Sequence, residues 1–225
     1  MLPDESVQKI RRGRCLHYAV VDIGSPKQGN LGWWVTGPFM EDGGTDPDKM
    51  IAALTEVVRM GPTVLGFEAT MYVPAKRDIR DTLQQRPGEA GRPWSAGAGA
   101  SVTAMALALV PAILDRVATN VPGVTAWQDW TRKPRLPSEI LAFEAFVTTG
   151  VSDGHAEDAR LAAYAARMLF DGETPVSALG KEPCMSTLGA ALLHSGMSQD
   201  VEELRRQCLV VKLSKTGPPS IGGHY

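Results

Sequence analysis

An α/β fold with a mixed, mostly parallel sheet covered by helices is what this sequence predicts, and three observations predict it. Apolar runs at 15–23 and 31–36 are joined by a turn-rich segment and read as a long-looped hairpin. After that hairpin, strand-like runs at 63–69 and 139–149 alternate with helix-period segments at 45–60, 101–118 and 151–170. Such alternation lays strands side by side and puts helices over their faces. The length, 225 residues, suits one elaborated domain with its own core.

Taken in order, residues 1–14 read as a flexible polar arm with a basic end (Lys9, Arg11, Arg12, Arg14). The domain spans 15–213. Its first strand ends at Asp22, and "GSPKQGN" follows as a loop, with Pro26, Gly29 and Asn30 as turn residues. The helix over 45–60 opens with Thr45 or Asp46 as its cap and Pro47 at its first position. Ile51, Leu54, Val57 and Val58 give it an apolar face, and Gly61-Pro62 stops it. The strand "TVLGFEA" ends near Glu68. Residues 72–100 are charged and then Gly/Ala-rich, with no period, and read as an insertion or mobile loop. The helix over 151–170 has Ser152 or Asp153 near its start and alanines through its body. Weaker patterns suggest helices near 185–195 and 198–206, the strand "CLVVKL", and a flexible tail over 214–225.

Composition excludes several classes. Hydrophobic residues make up 44% and charged residues 21%, an ordinary globular balance. A formal net charge of -2 and a pI near 6.1 argue against broad, non-specific polyanion binding but leave room for a local basic groove. Cys15, Cys184 and Cys208 show neither disulfide nor zinc spacing, so a reducing cytoplasm is the expectation. The N-terminus has no apolar signal core. The most apolar window, "SVTAMALALVPAIL", reads as too short and too Pro-interrupted to span a bilayer, so no membrane is expected.

Three acids stand in or at the ends of separate strands: Asp22, Glu68 and Glu144. Neighbouring strands lie about 4.8 Å apart, so acids at matching ends crowd together. Carboxylates at that spacing repel, and a hard divalent cation such as Mg²⁺ or Mn²⁺ relieves the repulsion. Gly24 leaves room for a phosphate to approach. On the last long helix, "HAEDARLAA" puts His155 and Asp158 three residues apart on one face. Ala159, Ala162, Ala163 and Ala166 form a small surface that lets that helix lie close to the sheet and bring Asp158 to the strand acids.

These residues carry a resemblance. "AVVDIGSPKQGNLGWWV" resembles the first hairpin of RNase H-like nucleases, especially RuvC-type Holliday-junction resolvases. "VLGFEATMYVPAKRD" is similar to their next acidic strand, and "HAEDARLAAYAAR" to their closing helix. "EILAFEAFVTT" resembles a strand of an uncharacterised bacterial family of predicted RNase H-like nucleases. The resemblance covers roughly 15–170; the "RPGEAGRPWSAGAGASV" segment and 171–225 have no counterpart in it. It implies an RNase H-like fold, metal-ligand roles for Asp22, Glu68, Asp158 and His155, and a catalytic role for Glu144 through the uncharacterised family alone. The implied activity is two-metal hydrolysis of phosphodiester bonds in DNA or RNA, with Mg²⁺ or Mn²⁺ as cofactor and a homodimer as an implied possibility.

Each residue also has a plainer reading. Asp22 before a glycine can open an Asx-turn. Glu68 can pair with Lys76 or Arg77, Glu144 can sit exposed on an edge strand, and His155 can be a helix-start contact. Trp33-Trp34 reads as hairpin packing before it reads as a base-stacking platform. The clusters Lys76/Arg77/Arg80, Arg86/Arg92 and Arg132/Lys133/Arg135 can be solvated faces or phosphate contacts, and the first, following the Glu68 strand, is the favoured substrate contact. Two other functions fit the same residues. One is an actin-like or sugar-kinase-type phosphotransferase, whose phosphate loop "DIGSPK" matches loosely. The other is a non-catalytic binding module that kept the fold.

Overall fold

The computed structural model describes residues 16–89, 93–147, 154–171 and 175–213. The arm over 1–14, the tail over 214–225, Cys15, Arg92, Ser152 and Asp153 lie outside the described residues. The fold is α/β, with a mixed sheet flanked by four helices.

Strand β1 (His17–Asp22) turns through a short 3-10 segment, Pro26–Gln28, into the antiparallel β2 (Gly32–Gly37). A third antiparallel strand, β3 (Met40–Gly44), forms the exposed sheet edge. Its sequence, MEDGG, has no apolar alternation, so nothing local marks it as a strand; pairing with β2 makes it one, and Glu41 and Asp42 keep the edge charged. Helix α1 (Pro47–Met60) starts where Asp46 accepts hydrogen bonds from the Asp48 and Lys49 backbone N–H groups at 2.9 and 3.0 Å. Next comes β4 (Thr63–Glu68), parallel to β1.

Residues 72–100 depart from the loose insertion that the sequence suggests. Strand β5 (Tyr72–Pro74) pairs with β8 (Cys184–Ser186) in a small second sheet, Ile79–Asp81 makes a 3-10 turn, and α2 (Gly97–Asn120) already begins inside the segment. The later elements are β6 (Thr125–Trp127), β7 (Glu139–Val147), α3 (His155–Asp171), α4 (Thr187–His194) and β9 (Val210–Leu213). The main sheet runs β3-β2-β1-β4-β7-β6, and β9 lies against the second half of β7.

The core lies on both faces of this sheet. On one face the fully buried alanines of α3, Ala159, Ala162, Ala163 and Ala166, meet Tyr18, Val20, Val64 and Phe143. Small side chains let the helix axis sit close to the strands, as the sequence suggests. The other face packs Val21, Leu65, Phe67 and Ala142 against α1, α2 and α4. Cys184 and Cys208 are buried free thiols.

Helix α2 corrects one expectation. It is 24 residues long, because Gly97 to Ala100 extend the apolar run backwards, and by length and composition alone it is the one described helix long and apolar enough to cross a membrane. Here its buried side chains, among them Ala106, Val110, Ile113, Leu114 and Val117, pack into the core.

Candidate metal centre

Register decides which acids can meet. In a parallel pair, residues at matching positions face the same side of the sheet. Asp22 on β1 is level with Glu68 on β4, and Glu68 is level with Ala145 on β7. Asp22 and Glu68 therefore end adjacent strands on the face that α3 covers, and the first turn of α3 adds Asp158. One carboxylate oxygen from each of Asp22, Glu68 and Asp158 lies within 4.8 Å of the others. Ligands of one Mg²⁺ sit closer together than this, at bond lengths of about 2.1 Å from the ion, so Asp22, Glu68 and Asp158 would have to draw together to hold one. Three carboxylates suit a hard divalent cation better than a soft one, and His155, expected as a fourth ligand, instead meets Asp22 through Nδ1.

A glycine permits the approach of α3. Gly32 sits opposite Asp22 in the hairpin, and a Cβ there would run into the His155 carbonyl and the Ala156 nitrogen. The start of α3 thus rests on bare backbone. Gly32→Ala is expected to destabilise the protein by about 1–3 kcal/mol, as over-packing does, and, should the three acids hold an ion, to weaken Mn²⁺ binding by moving Asp158 away from the strand acids. Urea unfolding and Mn²⁺ titration by calorimetry check both; an unchanged Mn²⁺ affinity would separate the glycine from the site.

His155 Nδ1 lies 2.5 Å from Asp22 Oδ2. Asp22 is only 7% exposed, while His155 is partly open to solvent. Burial pushes the Asp22 carboxyl up to about 6, the hydrogen bond and charge of His155 pull against that rise, and the neighbouring Asp158 adds to it.

Glu144 does not join this group. It is level with Phe67, one residue out of step with Glu68, so its side chain enters the opposite core. There it is 0% exposed and forms a two-pronged ion pair with Arg86, Nη1 to Oε2 at 2.8 Å and Nη2 to Oε1 at 2.7 Å. It also accepts the Met71 backbone N–H at 2.9 Å. The exposed edge position does not hold for it, and its carboxylate stands apart from those of Asp22, Glu68 and Asp158. Arg86, which reads in the sequence as part of a solvated cluster, is 1% exposed and holds Glu89 as well, Nη2 to Oε1 at 3.1 Å.

The favoured basic contact also sits apart. Lys76 forms an ion pair with Glu182, Arg80 with Asp78, and Arg77 is exposed; none of the three lines the cleft beside the acids. Arg132 lies over the Trp127 ring at 4.0 Å, and Lys133 donates to the Phe170 carbonyl, again away from that cleft.

The cleft opens at the C-terminal ends of β1, β4 and β7 and has a volume of about 560 Å³. Asp22, Glu68 and Glu89 line it together with Trp94, Val102, Phe146 and the start of α2. Sequence reasoning missed Trp94, Phe146 and Glu89. The one available signal is an aromatic residue just ahead of a glycine-rich helix start in "PWSAGAGA". Comparison with known proteins returns no matching family model, no matching curated protein and no matching solved structure.

Proposed function

We propose that this chain is a divalent-metal-dependent nuclease of the RNase H-like kind, hydrolysing phosphodiester bonds in DNA or RNA. The observation that carries the reading is the convergence of Asp22, Glu68 and Asp158, from two strands and a helix, on one point at the carboxyl end of parallel strands. Ligand sites of open α/β sheets lie at that end. The order of parts supports it as well: an antiparallel hairpin carrying Asp22, a parallel strand carrying Glu68, and a later helix carrying Asp158 packed over both, as the resemblance to RuvC-type resolvases requires.

Asp22, Glu68 and Asp158 would hold Mg²⁺ or Mn²⁺, with His155 beside them. Such an ion activates water and offsets charge on the phosphodiester oxygens. The protein's own groups do the rest. Asp22 orients His155 through Nδ1, which leaves Nε2 as the ring nitrogen that can take a proton from water. Burial of Asp22 strengthens its electrostatic pull on a charge beside it.

The test is Mn²⁺-dependent cleavage of labelled oligonucleotides. Asp22→Asn and Asp158→Asn are each expected to lose activity on the order of a thousandfold, and the double variant to be little worse, because ligands of one ion act as a unit. Retained activity in both single variants, folded by circular dichroism, overturns the reading.

A further inference from the structure

We infer that the cleft beside the three carboxylates seats one unpaired nucleobase against Trp94 and Phe146, so that the preferred substrate is a strand unpaired at the point of cleavage. The inference rests on the nuclease reading for where the reacting phosphate lies. Its observations are separate: the size of the cleft, the chemistry of its aromatic wall, and what fixes that wall.

About 560 Å³ is the size of a pocket for a small molecule, not of a groove for a duplex. Beside the acids Asp22, Glu68 and Glu89, Trp94, Phe146 and Val102 give the lining an aromatic and aliphatic surface. A base inside a duplex offers only its edges, because its faces are covered by stacked neighbours. An aromatic wall can be met only by a base that has left the stack. The described lining holds three acids and no lysine or arginine, so stacking, not phosphate charge, is the contact that this described part of the cleft offers. The start of α2 adds backbone donors at Gly97 and Gly99, with no side-chain cap from Ala96 and no acid in its first turn. An overall charge of -2 agrees with a protein that grips one nucleotide rather than a long backbone.

The wall is set before anything binds. The Trp94 indole N–H donates to the Gln84 carbonyl at 3.2 Å, and its backbone N–H donates to Glu89 at 3.4 Å. Glu89 in turn accepts from the Arg86 backbone N–H at 2.9 Å and holds the Arg86 guanidinium, which Glu144 clamps from the sheet. The buried ion network thus reaches the cleft through Glu89 and acts as a positioning device for Trp94. A pre-set ring stacks without a further ordering cost.

The experiment has a cleavage arm and a binding arm. With Mn²⁺, one sequence is presented as a single strand, as a full duplex and as a duplex with one bulged nucleotide; the single strand and the bulge are expected to be cut at least about tenfold faster than the duplex. Trp94→Ala is expected to raise KM for the single strand about tenfold, with the loss in KM rather than kcat, and Trp94→Phe to restore most of it. In the binding arm, Asp158→Asn protein is titrated with a 2-aminopurine oligonucleotide in EDTA. Quenching that Trp94→Ala abolishes and Trp94→Phe retains supports the base site, with only a shallow dependence on salt. Equal cutting of duplex and single strand, or 2-aminopurine binding indifferent to Trp94, overturns the inference. If no substrate is cut, the nuclease reading falls, and the binding arm still decides what the cleft holds.

Discussion

Arg86→Ala is expected to lower the free energy of unfolding by about 3–5 kcal/mol, a large share of the roughly 5–15 kcal/mol available to a domain of this kind. The guanidinium is 1% exposed and serves two buried acids, Glu144 at 0% and Glu89 at 2%. It also donates to the Tyr72 carbonyl at 3.3 Å and lies 4.7 Å from the centre of the Tyr72 ring. Removing it leaves two like charges out of water without a counter-ion, which is the costly half of breaking a buried pair. Arg86→Lys does not repair the loss, since one ammonium cannot meet both oxygens of Glu144 and reach Glu89 as well. Glu144→Gln keeps an acceptor and is expected to lose less, about 1–3 kcal/mol. Urea unfolding at pH 7 reads these directly; an Arg86→Ala loss below about 1 kcal/mol would mean that water or a rearranged loop takes over the role of the guanidinium.

That network also marks where sequence reasoning stopped. Asp22 and Glu68 were legible because each closes an apolar run, and Asp158 because it sits three residues from His155 amid alanines. Helix α1 was legible to its cap, since Asp46-Pro47 is a local signal. Glu144 looked equivalent to the other acids, but its role depends on register: Ala145, not Glu144, is level with Glu68, and a one-residue step sends the side chain to the other face. No local pattern carries that step. Arg86 was misread for a related reason. Its partner Glu144 is 58 residues away, and charge in an aperiodic segment reads as solvated until the chain is folded. The strands β3 and β6, of five and three residues, exist through pairing with the longer β2 and β7, and the three-residue β8 through pairing with the equally short β5, rather than through their own composition.

Asp22→Asn is expected to make the metal-free protein more stable while abolishing its response to Mn²⁺. The folded-state affinity of Asp22 for a proton is raised, to about 6 from an ordinary 3.8. Between those values the folded protein holds a proton that the unfolded chain has released, so stability falls as pH rises from about 4 to about 6. Above about 6 the cost of the buried carboxylate stands in full, on the order of 1–3 kcal/mol after the help of His155. Asparagine carries no charge at any pH and can still accept a hydrogen bond from His155. The variant should therefore match the wild type below about pH 4 and exceed it above about pH 6. On the proposed metal reading, adding Mn²⁺ is expected to reverse the order, because only the carboxylate would join Glu68 and Asp158 in holding an ion, and binding to the folded state raises its melting temperature. The wild-type response to Mn²⁺ should fade below about pH 6, where protons compete for Asp22. Thermal melts at pH 3.5, 5 and 7.5, with and without MnCl₂, separate the terms. An Asp22→Asn protein that is less stable than the wild type at pH 7.5 without metal would show that the carboxylate holds the fold together. The reverse order shows a side chain kept against the stability of the empty fold, and a residue is kept on those terms for what it binds.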